Sequence, residues 1–396
     1  MFFDSGNKNE CSGCSACLNV CPVNAITMQE DKEGFFYPII NRQVCVECGL
    51  CRKVCSWANP SYDNLSEPQV IASVLKNKSE RVQSTSGGVF FAIAQWIIKE
   101  GGVVYGAAFD NKLQLHHVSA ETMDELQKLR GSKYIQSDLG NIFKDIKQNL
   151  DDNRRCYFTG TGCQVAGLKA YLRKDYPKLI TSDLVCHGVP SQRLFNEHIA
   201  YMEQKFHDKI IDYRFRDYKM GSGCEICYFE NKCPIINPSY ELSPYLYSFI
   251  HSYVLRLSCY ECRFARIPRQ GDITLADYWG VERFIPSLDR RNGVSLVFLN
   301  NKKAIDLWGE INDSLEFVYS KLKDAVAYNR NVVSSTNKPQ IREHIFEEIE
   351  KLGYSYVAKY EFRNPKHNWI KIKKTITRTA LFRVAVSVLR RLKNTI

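Results

Sequence analysis

Long apolar runs are missing from this chain. The longest uncharged apolar stretch, from Gly88 to Ile98, is too short to span a bilayer. The opening residues, MFFDSGNKNE, hold no apolar run of the kind a secretory leader needs. Both absences predict a cytoplasmic protein. No G-x-G-x-x-G follows any predicted strand, which counts against a Rossmann NAD site. Internal repeats are absent apart from one duplicated cysteine run, and so are low-complexity segments. Acidic residues are absent from Lys366 to Ile396. That tail holds Lys366, Lys371, Lys373, Lys374, Arg378, Arg383, Arg390, Arg391 and Lys393, which account for most of the formal net charge of +11 and leave the body nearly neutral. Within it Ile376, Ala380, Leu381, Val384, Val388 and Leu392 recur at helical spacing opposite the basic face. Such a helix reads as a peripheral contact with the inner membrane surface or with a partner, and equally as a terminal helix packed on its own domain with a solvated basic back. A neutral body without a basic–aromatic pattern argues against nucleic acid as a partner.

Cysteine, by contrast, is plentiful. Sixteen cysteines in a chain without an export signal point to a reducing compartment and to metal ligation rather than disulfides. Eight of them form two runs of one spacing, Cys11-x-x-Cys14-x-x-Cys17-x-x-x-Cys21 and Cys45-x-x-Cys48-x-x-Cys51-x-x-x-Cys55. In bacterial two-cluster ferredoxins each such run supplies three thiolates to one [4Fe-4S] cube and sends its fourth across to the other. The first cluster would take Cys11, Cys14, Cys17 and Cys55, and the second Cys45, Cys48, Cys51 and Cys21. Pro22 fits the turn that leaves the first loop; Ser56 stands at the equivalent place in the second. Two matched runs make a disulfide framework or zinc a poor alternative.

Breaks in composition organise the rest. Residues 1–58 form the cysteine-rich ferredoxin module, and a turn-rich stretch from Asn59 to Pro68 links it to a body. In the body, strands are predicted at Val70 to Leu75, Val103 to Phe109, Cys156 to Thr159, Leu179 to Val185 and Ile273 to Ala276. Helices are predicted at Gly88 to Lys99, Thr122 to Leu129 and Ile142 to Leu150. This alternation gives an α/β or α+β fold with a mixed sheet covered by helices, residues 68–150 forming its N-terminal part, 151–345 its C-terminal part and 366–396 a basic tail.

Eight further cysteines lie in the body. Cys163 follows a strand and opens a helix, Cys186 ends a strand, and Cys259 and Cys262 form a C-x-x-C. One pair and two singles at strand ends and loops are what a third [4Fe-4S] site assembled from distant segments would need; zinc and free buried thiols fit the same spacing. Cys224, Cys227 and Cys233 have no recognisable motif partner, and Cys156 stays unassigned.

Five ordered segments carry a resemblance: Ser84 to Gly88 (STSGG), Gly131 to Ser137 (GSKYIQS), Phe158 to Leu168 (FTGTGCQVAGL), Asp183 to Ser191 (DLVCHGVPS) and Gly271 to Gly280 (GDITLADYWG). In these the chain resembles the family of coenzyme F420 hydrogenase and dehydrogenase beta subunits, from the ferredoxin module to about Arg342 but not into the tail. The resemblance implies an iron–sulfur flavoprotein, with a flavin-binding body that holds FAD near a cluster; Cys163, Cys186, Cys259 and Cys262 are the positions that match its ligands. Read physically, Ser84, Thr85, Ser86, Gly87 and Gly88 precede an apolar helix, a setting for a flavin pyrophosphate and equally for an ordinary N-cap. Lys133 could set a cation beside the flavin, or be a solvated lysine. Asp277 and Trp279 could contact the flavin or tune the third cluster, or Trp279 could fill the core. His187, beside Cys186, could hand a proton to flavin or substrate, or simply hydrogen-bond its loop.

The sequence thus predicts an iron–sulfur flavoenzyme that moves single electrons between clusters and FAD and two electrons between FAD and an organic or deazaflavin substrate, its redox partner being a protein or a small molecule. An electron-relay subunit without turnover of its own is the competing expectation.

Overall fold

The computed structural model describes residues 1–217, 221–290 and 292–378. The ferredoxin module is a two-stranded antiparallel ribbon, β1 (Ile26–Glu30) and β2 (Phe36–Ile40), flanked by the short helices Ala16–Val20 and Leu50–Lys53. Each helix starts from a left-handed residue, Ser15 at φ 57° and Gly49 at φ 72°, where a cysteine loop turns sharply into its helical turn. Spacing of the cysteines sets this geometry, since three thiols can face one point only if the loop coils tightly.

The body is built on one eight-stranded mixed sheet. Its strands are β3 (Gln69–Leu75), β4 (Val103–Phe109), β5 (Leu115–Ala120), β6 (Cys156–Thr161), β7 (Leu179–Leu184), β11 (Ile273–Asp277), β12 (Ser295–Leu299) and β13 (Leu315–Ser320), in the order β13-β3-β12-β11-β7-β6-β4-β5. The four central strands β11, β7, β6 and β4 are parallel, and antiparallel strands close both sides. The sheet runs across residue 150, because β3, β4 and β5 precede it and their partners β6, β12 and β13 follow it.

Alternation along the strands assigns the two faces. Val104 and Tyr157 join the core under the helices Val89–Lys99 and Lys302–Ile311, whereas Val103, Tyr105, Cys156 and Phe158 join the core under Ile142–Asp151 and Gly162–Leu172. Cys156 is therefore a small apolar core residue on the second face. The helix Ile142–Asp151 buries Ile142, Phe143, Ile146 and Leu150, one stripe at helical spacing.

A second lobe pairs β8 (Ile210–Asp217), β9 (Gly221–Phe229) and β10 (Ile235–Asn237) with the helices Gln192–Phe206, Pro244–Ile250, Ile345–Leu352 and Tyr354–Tyr360 around Phe195, Tyr213, Phe215 and Tyr245. Cys227 packs in this core, Cys224 is buried as well and Cys233 is exposed. Glu225, buried there, accepts from His198 at 2.6 Å, Tyr213 at 2.5 Å and Ser243 at 2.8 Å. Burial opposes its charge, but His198 and these donors hold its carboxyl down at about 2.

The strands and helices expected in the body are all present, with β6 reaching Thr161 and β7 ending at Leu184. The basic tail begins as the helix His367–Arg378; Ala380, Leu381, Val384, Val388 and Leu392 lie outside the described residues. Among the described residues no helix is long and apolar enough to cross a membrane.

Gly87 is fixed by the sheet. A Cβ there would stand 2.2 Å from the Ser73 carbonyl oxygen and 2.5 Å from the Ser295 amide, and the Gly87 carbonyl accepts from the Leu75 amide at 2.7 Å. Gly87→Ala is expected to cost about 1–3 kcal/mol of stability through overpacking, read as a lowered unfolding midpoint whether or not any cofactor is bound.

Candidate metal centres and an adjoining cleft

Cys11, Cys14, Cys17 and Cys55 line one cavity, together with Phe2, Ser12 and Trp57. Cys55 of the second run thus stands with three thiols of the first. Burial pushes the Cys14 thiol up to about 12, with the charges of Cys11, Cys55 and Cys163 adding to it; Cys17 is raised by burial and by Cys14, Cys11 and Cys55. Cys51 is raised by burial and further by Cys45 and Cys48, its companions in the second set, where Cys48 is exposed. Cys21 accepts the Ala25 amide at 3.2 Å and Cys45 the Glu47 amide at 3.4 Å, the N–H to sulfur bonds that set a cluster's potential.

The third set lies at the carboxyl ends of the parallel strands. β6 and β7 are neighbours, so the loops that leave them bring Cys163 and Cys186 side by side, and the turn Leu257–Glu261 adds Cys259 and Cys262. All four line one cavity. Burial lifts Cys163 to about 11 and Cys186 to about 12 and raises Cys259 and Cys262; Cys262 adds to the other three, and Cys163 to Cys186 and Cys259. Thiols held protonated in this way must release protons when iron enters.

Both quartets suit an iron–sulfur cube. Each is all sulfur and lines a cavity. Ser12 and Trp57 line both cavities, so the two sites share a wall. Trp57 meets Phe264 edge-on at 6.1 Å, and Arg263 donates to its carbonyl at 2.8 Å. The helix Gly162–Leu172 completes the wall. It starts with Cys163, and one turn on, a Cβ at Gly167 would come within 2.9 Å of Cys14 Sγ.

A separate cleft gathers Ser84, Thr85, Asp277 and Trp279 with Arg216 and Arg290. Trp279 is 48% exposed there, so it is a face on the cleft and not core filling. Arg216 donates to Tyr134 Oη at 2.6 Å, to the Thr85 carbonyl at 2.9 Å and to Asp277. Burial opposes its charge, but Tyr134 and Asp277 hold it above the ordinary value. Ser86 Oγ is buried without a hydrogen-bond partner, and a Cβ on Gly293 of the cleft would stand 3.1 Å from the Ser86 Cα. Gly87 and Gly88 do not line the cleft; Gly87 serves the sheet and Gly88, at φ 94°, opens the helix Val89–Lys99.

Lys133 stands apart from the cleft. Its ammonium donates to the carbonyls of Lys128 at 3.0 Å and Arg130 at 2.8 Å, at the end of the helix Met123–Leu129, and burial lowers it to about 7. His187 lies in the wall of the third cavity, its Nε2 between the Phe249 carbonyl at 3.1 Å and Ser252 Oγ at 3.0 Å, with burial lowering it toward the neutral form. His187 meets Phe249 edge-on at 5.2 Å, Phe249 stacks on Tyr134 at 4.7 Å, and Tyr134 holds Arg216. A packed aromatic path thus joins the third cavity to the cleft. Sequence reasoning missed Phe249 and Arg216, which no motif marks, and Trp57, whose only signal is its place directly after the second run.

Comparison with known proteins matches residues 153–325 to the family model for the C terminus of the beta subunit of coenzyme F420 hydrogenase/dehydrogenase, and residues 10–59 to the 4Fe-4S dicluster domain. An uncharacterized protein of Methanocaldococcus jannaschii is 27% identical over 202 residues, 43% of this chain and 54% of that protein. One of the subunits of the F420H2 dehydrogenase of Methanosarcina mazei is 23% identical over 167 residues, 39% of this chain and 46% of that polypeptide. The chain thus spans about half the length of these curated relatives. Among solved structures, a chain of the F420-reducing [NiFe] hydrogenase complex of Methanosarcina barkeri aligns with TM-score 0.47 and 18% identity, covering 72% of this chain and 92% of that one.

If the quartets hold separate cubes, Cys14→Ala and Cys163→Ala each lower iron and acid-labile sulfide by about four atoms per chain. Gly167→Val, which changes no ligand, is expected to cost the same cluster as Cys14→Ala; full iron in that variant would contradict the shared wall.

Proposed function

We propose, from the match of residues 153–325 to the family of coenzyme F420 hydrogenase/dehydrogenase beta subunits and of residues 10–59 to a 4Fe-4S dicluster domain, that the chain is an iron–sulfur oxidoreductase subunit in which three clusters feed a flavin in the cleft. The observation that carries this reading is the wall of Ser12 and Trp57 common to two cysteine-lined cavities, because electrons tunnel efficiently only between centres that stand close together. The exposed Cys48 marks the second set as the port to a redox partner protein, the first set as the middle and the third as the end nearest the cleft.

The cleft residues fit FAD. Ser84 and Thr85 offer polar groups to a phosphate, Arg290 adds a cation, and the exposed Trp279 face suits a planar ring. Flavin, when bound, exchanges single electrons with clusters and an electron pair, as hydride, with an organic substrate such as a deazaflavin. Around it Arg216 locks Asp277 and the Thr85 carbonyl in place, so the cleft is preorganised. His187, half-buried, lines the third cavity and meets Phe249 edge-on, at the head of that route.

Anaerobically purified protein is expected to carry flavin that extracts as FAD. Trp279→Ala should lower the flavin-to-iron ratio about tenfold at limiting FAD, for a stacking contribution of about 1–1.5 kcal/mol, with iron unchanged. A parent that holds its clusters, binds no flavin and accepts none would instead identify an electron-relay subunit.

A further inference from the structure

Arg256 is 1% exposed, and among the described residues its hydrogen bonds go only to neutral oxygens. Nε donates to the Cys11 carbonyl at 2.8 Å, Nη1 to Gln136 Oε1 at 3.1 Å and Nη2 to the Phe36 carbonyl at 3.0 Å, while the guanidinium lies 4.2 Å from the Tyr37 ring centre. Its backbone belongs to the other site. The Arg256 amide donates to Val189, three residues past Cys186, at 3.0 Å, and the Arg256 carbonyl accepts from the Cys259 amide at 2.9 Å. Gly13, at φ 70°, lets the head group in, since a Cβ there would stand 3.0 Å from Nη1.

A guanidinium does not lose its proton inside a protein, and a buried cation without an anion is costly. Burial opposes the charge of Arg256, yet Cys11, Tyr37, Cys259 and Cys163, when ionised, raise it above the ordinary value. Those cysteines come from two different quartets. A cube held by four thiolates is itself a net anion and gains one more negative charge on reduction, so its potential follows the charges around it.

We propose that Arg256 is a fixed counter-cation shared by the Cys11/Cys14/Cys17/Cys55 cluster and the Cys163/Cys186/Cys259/Cys262 cluster, stabilising the reduced form of both. The inference rests on the three-cluster reading above. Each cluster takes one electron from a one-electron donor and passes one on, with no bond made or broken and no proton needed, because the charge already in place compensates the electron. Arg256 is a positioning residue for charge, and its effect is confined to the two clusters it borders; the Cys45/Cys48/Cys51 cluster is an internal control.

The test is an EPR-monitored anaerobic redox titration, with dithionite as reductant, of the parent, R256K and R256Q, each checked for iron content. R256Q is expected to disfavour reduction of the two bordering clusters by about tenfold or more, which for one electron is about 59 mV, and to leave the Cys45/Cys48/Cys51 cluster unmoved. R256K keeps the charge and should stay within about threefold of the parent. Should R256Q lose its clusters, Q136E decides: a carboxylate against Nη1 neutralises the cation in place and is expected to lower the same two potentials. Full iron with unmoved potentials in R256Q, or in Q136E if that variant decides, overturns the inference, as does an equal fall in R256K and R256Q. A parent with only the two dicluster-domain clusters would instead overturn the three-cluster reading.

Discussion

The fold depends on one close contact, Cys14 seated in the notch that Gly167 leaves in the helix Gly162–Leu172. That helix carries Cys163 at its start, so its packing fixes the first cysteine quartet relative to the third. Trp57 and Ser12 close the same wall from the ferredoxin side, and Arg256 spans it with one end on each cysteine loop. The ferredoxin module therefore forms one face of the cavity that Cys163, Cys186, Cys259 and Cys262 line. A side chain at position 167 or 13 would push the parts asunder.

Sheet topology decides where this wall stands. Parallel strands send their carboxyl ends to one edge, and β6, β7 and β11 deliver Cys163, Cys186 and Asp277 there from segments far apart in sequence. Buried polar links hold the strand ends in place. Asp183 pairs with Arg269 at 2.9 Å and accepts from Thr274 at 2.5 Å, both partners buried, while Asp272 accepts from the Thr181 amide and hydroxyl at 2.7 Å. Breaking such a pair by removing one partner costs far more than the pair contributes, since the other charge is left buried. The resembling segments around Asp183 and Asp272 thus serve the frame as much as the chemistry.

Much of this was legible in the sequence, for identifiable reasons. Cluster ligation demands fixed spacing, so the two cysteine runs announce themselves, and the placement of Cys55 with the first run follows from the same rule. Strands such as Val103–Phe109, buried on both faces, read as apolar runs. Other features carry no local pattern. Gly87 looked like part of a phosphate loop, but its missing side chain answers a steric demand from strands 14 residues before it and more than 200 after it. Lys133, expected beside a flavin, turns to the carbonyl end of a helix, the usual refuge of a half-buried cation. Arg216 and Arg256 are single residues in ordinary segments, and only the fold shows that each is buried among groups brought from three or more parts of the chain.

The central claim is that clusters of the ferredoxin module and of the body share one wall. It is tested most directly by the EPR spectrum of the fully reduced protein, taken with its iron and sulfide content. The account predicts about twelve irons per chain, three cubes of four, and spectra broadened and split by spin coupling between neighbouring clusters, a coupling that Cys163→Ala weakens. About eight irons, or twelve irons with three independent uncoupled signals, would contradict it.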